Sequence, residues 1–219
     1  MNEESKLDAA KTIEWYDANA ESYTEKTLAR ARMDQIKAFV DLLPNYAKVL
    51  DVGCGPGRDT ALLAERGCEV TGIDLSKGLI TEARKRYPQL QFDIGSMTAL
   101  PYSKDTFDGI WANASLLHLP TLADVQQTLK EFSRVLKPSG SVHISVKAQL
   151  SDAQTEVVTD ELSGAKRFFR YFKKDALVQL LHEAGFEIIT IEQFNEATLQ
   201  LTVARSEVEW IVVMAKRIE

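Results

Sequence analysis

Cysteine is almost absent from this chain: two occur in 219 residues, Cys54 and Cys68, with no metal-type spacing between them or around them. That excludes a disulfide scaffold, leaves no expected metal site, and predicts a reducing compartment. No apolar run approaches the ~20 residues that cross a bilayer. The opening stretch from Met1 to Asp17 is polar and acidic, without the basic start and apolar core of a secretion signal. A cytoplasmic location with no membrane partner is the expectation. Basic residues are in deficit, 26 Lys and Arg against 32 Asp and Glu for a net charge of −6, so a nucleic-acid footprint spread over the whole surface is excluded and only a local basic patch is left open. Internal repeats and low-complexity tracts are also missing.

What is present is alternation. Between Val49 and Val146 short β-branched runs alternate with helix-period stretches, the pattern of βαβ units and an α/β fold with a mostly parallel sheet. Lys48 to Val52 reads as a first strand, and the helix from Arg58 to Arg66 stops at Gly67. Glu69 to Ile73, Gln91 to Ile94, Asp108 to Ala112 and Val142 to Val146 read as further strands. Ser76 is placed to cap a helix carrying Leu79, Ile80, Ala83 and Tyr87 on one face, and Thr121 with Asp124 forms a capping-box-like start for a helix with Val125, Leu129, Phe132 and Leu136. Lys137 to Gly140 reads as a turn, and Ala148 to Lys166 as a polar connection. Two final β-rich runs, Phe186 to Ile191 and Glu209 to Ala215, flank a polar loop around Asn195 to Ser206. Ahead of the sheet, residues 1–45 carry two helical stretches, one with Tyr16, Ala20 and Tyr23 on a face, the other with Met33, Ile36, Val40 and Leu43. These are expected to form a cap or lid over a core at residues 46–219.

The strongest chemical signal is Val49-Leu-Asp-Val-Gly-Cys-Gly-Pro-Gly57, where a strand runs straight into Gly53, Gly55 and Gly57 and then a helix. Glycines there admit positive φ and close approach of backbone to a ligand, and the helix start offers N–H donors. About twenty residues on, Gly72-Ile-Asp74-Leu-Ser76 places a carboxylate beside the loop, suited to a ribose. The spacing is GxGxG rather than the GxGxxG of dinucleotide enzymes, which points away from a pyrophosphate.

On these residues the chain resembles the class I S-adenosylmethionine-dependent methyltransferases, small single-domain bacterial members in particular, from about Tyr16 onward. VLDVGCGPGRDT is similar to the family's first motif and GIDLS to its second. The resemblance implies a three-layer α-β-α sandwich around a Rossmann-like seven-stranded sheet with one antiparallel strand near the C-terminus. It implies that the glycine loop with Asp51 and Arg58 holds the methionine part of S-adenosylmethionine, and that Asp74 and Leu75 border the ribose. Gly95-Ser-Met-Thr-Ala-Leu-Pro101 matches the stretch that reads adenine, with Ser96 where an Asp is usual and Met97 beside the ring. Phe107 to Pro120 looks like the fourth-strand motif, bringing Asn113 to the cofactor and His118 to the acceptor, and YDANAESY looks like a lid in which Tyr16 and Tyr23 cover the sulfonium.

Each candidate has a plain structural reading as well. Cys54 serves as a small spacer, since no activating base accompanies it. His143 lies mid-strand and His182 on a helix surface, so His118 is the histidine placed to act as a base or to orient substrate. Lys166 to Lys174 interleaves basic and aromatic residues; Arg170 and Tyr171 there are candidates for the acceptor site, or simply alternate on a strand. The expected reaction is methyl transfer to a small molecule. An RNA-modifying methyltransferase, a catalytically silent cofactor sensor and a dinucleotide oxidoreductase are the alternatives, and oligomeric state is not legible.

Overall fold

The computed structural model describes residues 3–27, 33–159, 166–198 and 208–218. Three helices come first, α1 (Glu3–Ala18), α2 (Ala20–Thr27) and α3 (Met33–Val40). The alternating core follows: β1 (Lys48–Val52), α4 (Arg58–Ala64), β2 (Glu69–Asp74), α5 (Lys77–Arg86), β3 (Gln91–Ile94), β4 (Phe107–Asn113), α6 (Leu122–Val135) and β5 (Leu136–Lys147). The chain ends with a hairpin of β6 (Thr155–Thr159) and β7 (Lys166–Arg170), then α7 (Lys174–Glu183), β8 (Phe186–Asn195) and β9 (Glu209–Arg217).

Seven strands form one sheet in the order β3-β2-β1-β4-β5-β9-β8. β1 to β5 are mutually parallel, and β9 slots antiparallel between β5 and β8. One antiparallel strand near the C-terminus is therefore present, as expected. Because the chain builds outward from β1 to β3 and then returns to lay β4 on the other side of β1, the strand order reverses there. A crevice opens at the carboxyl ends of β1 and β4, where open α/β sheets take their ligands.

Burial on both faces explains the sequence of the central strands. In β1, Val49, Leu50 and Val52 are at most 1% exposed, so apolar side chains on both faces are buried, with Asp51 the polar exception. One face packs against α6 and α7 through Val125, Leu129, Phe132, Leu177 and Leu181. On the other, Ile36 and Phe39 of α3 and Leu63 of α4 join Val49 and Trp111. Trp111 also stacks on His143, with ring centroids 3.7 Å apart.

Both predicted caps form. The Ser76 hydroxyl accepts from the Leu79 N–H, and Thr121 with Asp124 makes the reciprocal capping box of α6. Elsewhere the structure departs from the sequence reading. The N-terminal region makes three helices instead of two, with α1 and α2 meeting at Asn19, whose backbone N–H and side-chain amide both donate to the Trp15 carbonyl. Lys137 to Gly140 is not a free turn but a bulge inside β5: Ser139 has φ +63°, and the register jumps from Phe107 opposite Leu136 to Gly109 opposite Ser141. The polar connection contains β6, whose largely exposed residues carry no inward-outward alternation of hydrophobicity to announce it. The loop expected around Asn195 to Ser206 falls largely outside the described residues.

Two attachments hold the N-terminal helices over the crevice. Asp17 Oδ1 accepts from the Ser76 hydroxyl at 2.6 Å and from the Gly78 N–H at 2.9 Å, tying α1 to the start of α5. The Phe168 N–H donates to Thr12 Oγ1 at 2.9 Å, tying α1 to β7.

Candidate functional site

The crevice is a cavity of about 1290 Å³ whose walls come from nearly every element with a free end there. Its floor is the glycine loop. Gly53 has φ +71°, and a Cβ on it would lie 2.3 Å from Ser115 Cβ, so only glycine lets β1 turn beneath the β4 loop. Gly57 has φ +83° and a Cβ there would strike the Phe92 ring at 2.7 Å; it shapes the turn from behind and does not line the cavity. At Gly55 a Cβ would meet nothing within 4 Å.

The N–H groups of this loop are turned into the protein. Those of Gly53 and Cys54 donate to the Ile73 carbonyl at 2.8 and 3.1 Å, and that of Gly55 donates to Asp74 Oδ2 at 2.9 Å. A cradle for phosphate leaves such donors open. Here carboxylates face the cavity instead: Asp51 and Asp59, 2% and 7% exposed, and Asp74, with Arg58 the cation beside them among the described residues. Arg58 is engaged already, its Nε donating to Asp59 Oδ1 at 2.7 Å and its Nη1 to the Thr27 carbonyl at 2.9 Å. This wall repels a pyrophosphate and attracts a cation.

Each carboxylate has a distinct setting. Asp51 accepts from the Thr60 hydroxyl at 2.6 Å; burial first, then the charge of Asp59, pushes its carboxyl up to about 8. For Asp59 burial raises the carboxyl, and the Arg58 guanidinium, Asn113 and Trp111 together outweigh it and hold the group below its ordinary range. The Asn113 Nδ2 and Trp111 Nε1 donate to Asp59 Oδ2 at 2.8 and 3.1 Å. Asp74 Oδ1 accepts from the Ser76 N–H at 2.8 Å, so its two oxygens fasten both sides of the β2 turn while each keeps a lone pair for the cavity. Burial raises its carboxyl against those backbone donors.

Leu75, Ser96 and Met97 line the same end. The Ser96 hydroxyl shares a hydrogen bond with Thr98 Oγ1 at 2.8 Å. Asp93 accepts from the Tyr102 hydroxyl at 2.8 Å and is not among the lining residues. Tyr16 and Tyr23 close the cavity from α1 and α2 as an edge-to-face pair with centroids 5.0 Å apart.

The opposite end is made by residues after β4 and β5 and on β7. His118 Nδ1 lies 2.9 Å from the Phe168 carbonyl, which can only accept, so Nδ1 carries the proton. Its Nε2 therefore offers a lone pair to the Tyr16 hydroxyl at 3.3 Å. Desolvation pushes this imidazole down to about 4, helped by the positive charges of Arg167 and Lys147. His118 is thus a neutral ring with both nitrogens engaged. Lys147, Arg167 and Phe169 line this end beside it.

Of the residues singled out in the sequence, the cavity gathers Tyr16, Tyr23, Asp51, Gly53, Gly55, Arg58, Asp74, Leu75, Ser96, Met97, Asn113 and His118. It does not gather Arg170 or Tyr171. The Arg170 guanidinium donates to the carbonyls of Leu119 (3.1 Å) and Pro120 (2.5 Å), and the Tyr171 hydroxyl donates to Glu156 at 2.9 Å. Asp59 and Lys147 also line the cavity without having been singled out in the sequence, and Arg167 and Phe169 line it from within the basic-aromatic stretch noted there.

Residues 49–140 match the methyltransferase domain family. The chain is 36% identical over 163 residues to methyltransferase GfsG of Streptomyces halstedii, covering 69% of this chain and 56% of that protein. It is 32% identical over 136 residues to trans-aconitate 2-methyltransferase of Variovorax paradoxus, covering 61% and 50%. The chain thus spans about half the length of these curated relatives. In fold it is similar to 1,6-didemethyltoxoflavin-N1-methyltransferase of Burkholderia thailandensis, crystallised with bound 1,6-didemethyltoxoflavin and S-adenosylhomocysteine (TM-score 0.72, 24% identity, 96% of this chain and 89% of that one). Among the described residues no helix is long and apolar enough to cross a membrane. With the glycine crevice at the strand-order reversal, the carboxylate that follows β2 and the matched domain all in one chain, this protein belongs to the class I S-adenosylmethionine-dependent methyltransferases.

Proposed function

We propose that this chain binds S-adenosylmethionine along the glycine loop and transfers its methyl group to a small-molecule acceptor seated by His118. The observation that carries this reading is the glycine crevice whose N–H groups are closed and whose wall is carboxylate, which fits a ligand bearing a sulfonium and an ammonium. Asp51 and Asp59 lie where they would hold the cationic methionine end. Asp74 would take the ribose hydroxyls, with Leu75 and Met97 against the adenine and Ser96 beside it.

The cofactor supplies an electrophilic methyl group, so the protein's contribution is positional. Tyr16 and Tyr23 exclude water from above, with ring faces suited to a cation. His118 acts as a neutral orienting group and not as a proton acceptor, because its lone pair already faces Tyr16. The volume supports two ligands together, since about 1290 Å³ exceeds the ~300–1,000 Å³ of a site for one small molecule.

A small acceptor is favoured over RNA by the fate of the basic-aromatic stretch. Phe168 and Phe169 are 2% and 6% exposed and Arg170 is bound to carbonyls, so this segment is not displayed as a stacking surface. The test is incubation with methyl-labelled cofactor and separate small-molecule, RNA and protein fractions. Label is expected in the small-molecule fraction; label in RNA alone would overturn the acceptor class.

A further inference from the structure

We propose that the Ser96–Thr98 hydroxyl pair reads position 6 of the cofactor's purine, and that this chain therefore accepts a 6-oxopurine nucleoside at its cofactor site as well as the 6-aminopurine one. The inference rests on the cofactor reading above and adds a specificity to its base end.

Three observations carry it. First, the strand order aims the base at this pair. Neighbouring strands are set ~4.8 Å apart, and the ligand's parts would follow them across the crevice, the methionine end at the loop after β1, the ribose at Asp74 closing β2, the base at the end of β3. Asp74 is paired with Ile94, the last residue of β3, and the Gly95 N–H donates to the Asp74 carbonyl at 3.0 Å. Ser96 comes next, and it lines the cavity together with Met97 and Thr98. Position 6 lies on the purine edge remote from the ribose, so it is the edge that reaches past β2 toward them.

Second, the loop is fastened from behind and offers the cavity little else that is polar. The Leu100 N–H donates to the Glu131 carboxylate at 2.8 Å, and the Arg134 guanidinium donates to the carbonyls of Leu100 and Tyr102 at 2.9 and 2.6 Å. Asp93, the nearest acid in the sequence, accepts from the Tyr102 hydroxyl at 2.8 Å and is not among the described residues that line the cavity. From Gly95 to Pro101 the polar side chains are Ser96 and Thr98 alone.

Third, the pair can present either sign of hydrogen bond. The two oxygens are 2.8 Å apart and either can donate to the other, while Ser96 Oγ also accepts from the Thr98 N–H at 3.2 Å. When Thr98 donates, both Ser96 lone pairs are filled and the Ser96 proton is free for a carbonyl oxygen in the cavity. When Ser96 donates, one of its lone pairs is free for an amino group. A 6-oxo purine takes the first arrangement and a 6-amino purine the second. A carboxylate in the same place could only accept, and would leave a 6-oxo oxygen opposed.

The experiment is calorimetric titration with S-adenosylhomocysteine and S-inosylhomocysteine, which differ at position 6 and in the proton on the adjoining ring nitrogen; it needs no methyl acceptor. The wild type should bind the two within about ten-fold of each other, since the pair satisfies either group. Ser96→Asp, which exchanges a two-way group for an acceptor, should widen the preference for the adenosyl compound by a further ten-fold or so. Ser96→Ala, which adds no charge and keeps the test open if Ser96→Asp fails to fold, should weaken both ligands by a similar factor of about three or more. A wild-type preference for the adenosyl compound above about ten-fold, an unmoved ratio in folded Ser96→Asp, or unchanged affinity for both ligands in Ser96→Ala would overturn the proposal. If the wild type binds neither compound, the cofactor reading itself has failed, which is a separate result.

Discussion

The two ends of the cavity are built in different ways. At the glycine end, among the described residues, Asp51, Asp59 and Asp74 lie beside the Arg58 cation, and all four sit within or just after the first two strand-loop units. At the far end Lys147 and Arg167 come from β5 and from a hairpin added after it, joined by His118 and by Tyr16 from α1. The first end is rigid by construction, with loop N–H groups bonded into β2 and carboxylates fixed by neighbours. The second is assembled by the docking of four separate segments. One end therefore suits a fixed cofactor and the other an acceptor that differs between relatives sharing the same core.

Removing Asp74 should break the contrast most severely. Asp74→Ala deletes both the proposed ribose partner and the acceptor for the Gly55 N–H, so cofactor affinity should fall on the order of 100-fold by calorimetry, at ~1.5–3 kcal/mol per charged hydrogen bond. Gly53→Ala tests the floor: the strained φ and the 2.3 Å approach to Ser115 should cost about 2–3 kcal/mol of stability in denaturant melts. Asp59→Asn removes one anion but keeps much of its hydrogen bonding, and should weaken cofactor binding roughly ten-fold.

Protons sharpen the comparison further. Asp51 is raised toward about 8 before a cation arrives, and a bound sulfonium would favour its ionised form. Cofactor binding near pH 7 should then release protons and strengthen as pH rises toward 8, seen as a buffer-dependent enthalpy in calorimetry. The His118 linkage has its own sign. Its folded value of about 4 lies below the ordinary 6.5, so the unfolded chain binds the extra proton first. Stability should fall as pH drops from about 6.5 to 4, and His118→Asn should flatten that slope. The same variant should lower turnover by less than about ten-fold, with the pH profile of kcat unmoved, since no base is lost.

Much of the glycine end was legible because its signals are local. The GxGxG loop, Asp51 and the carboxylate after β2 lie within one βαβ unit, where short-range spacing fixes geometry. Asp59 escaped because an acid in the first turn of a helix reads as an ordinary favourable charge. The far end was less legible for a different reason. The basic-aromatic stretch at 166–174 was noticed, yet period-two alternation puts Arg167 and Phe169 on one face and Phe168 and Arg170 on the other, and nothing in the sequence says which face meets the cavity. Lys147, closing a buried strand, looks like a strand terminator. β6 was invisible because its pairing with β7 orders it, not a pattern of its own.

The central claim is that the carboxylate-walled glycine crevice holds S-adenosylmethionine, and calorimetric titration of the wild-type protein beside Asp74→Ala tests it most directly. Saturable one-to-one binding by the wild type that collapses in the variant is the predicted result. Absence of binding by the wild type, or equal binding by both, would contradict it.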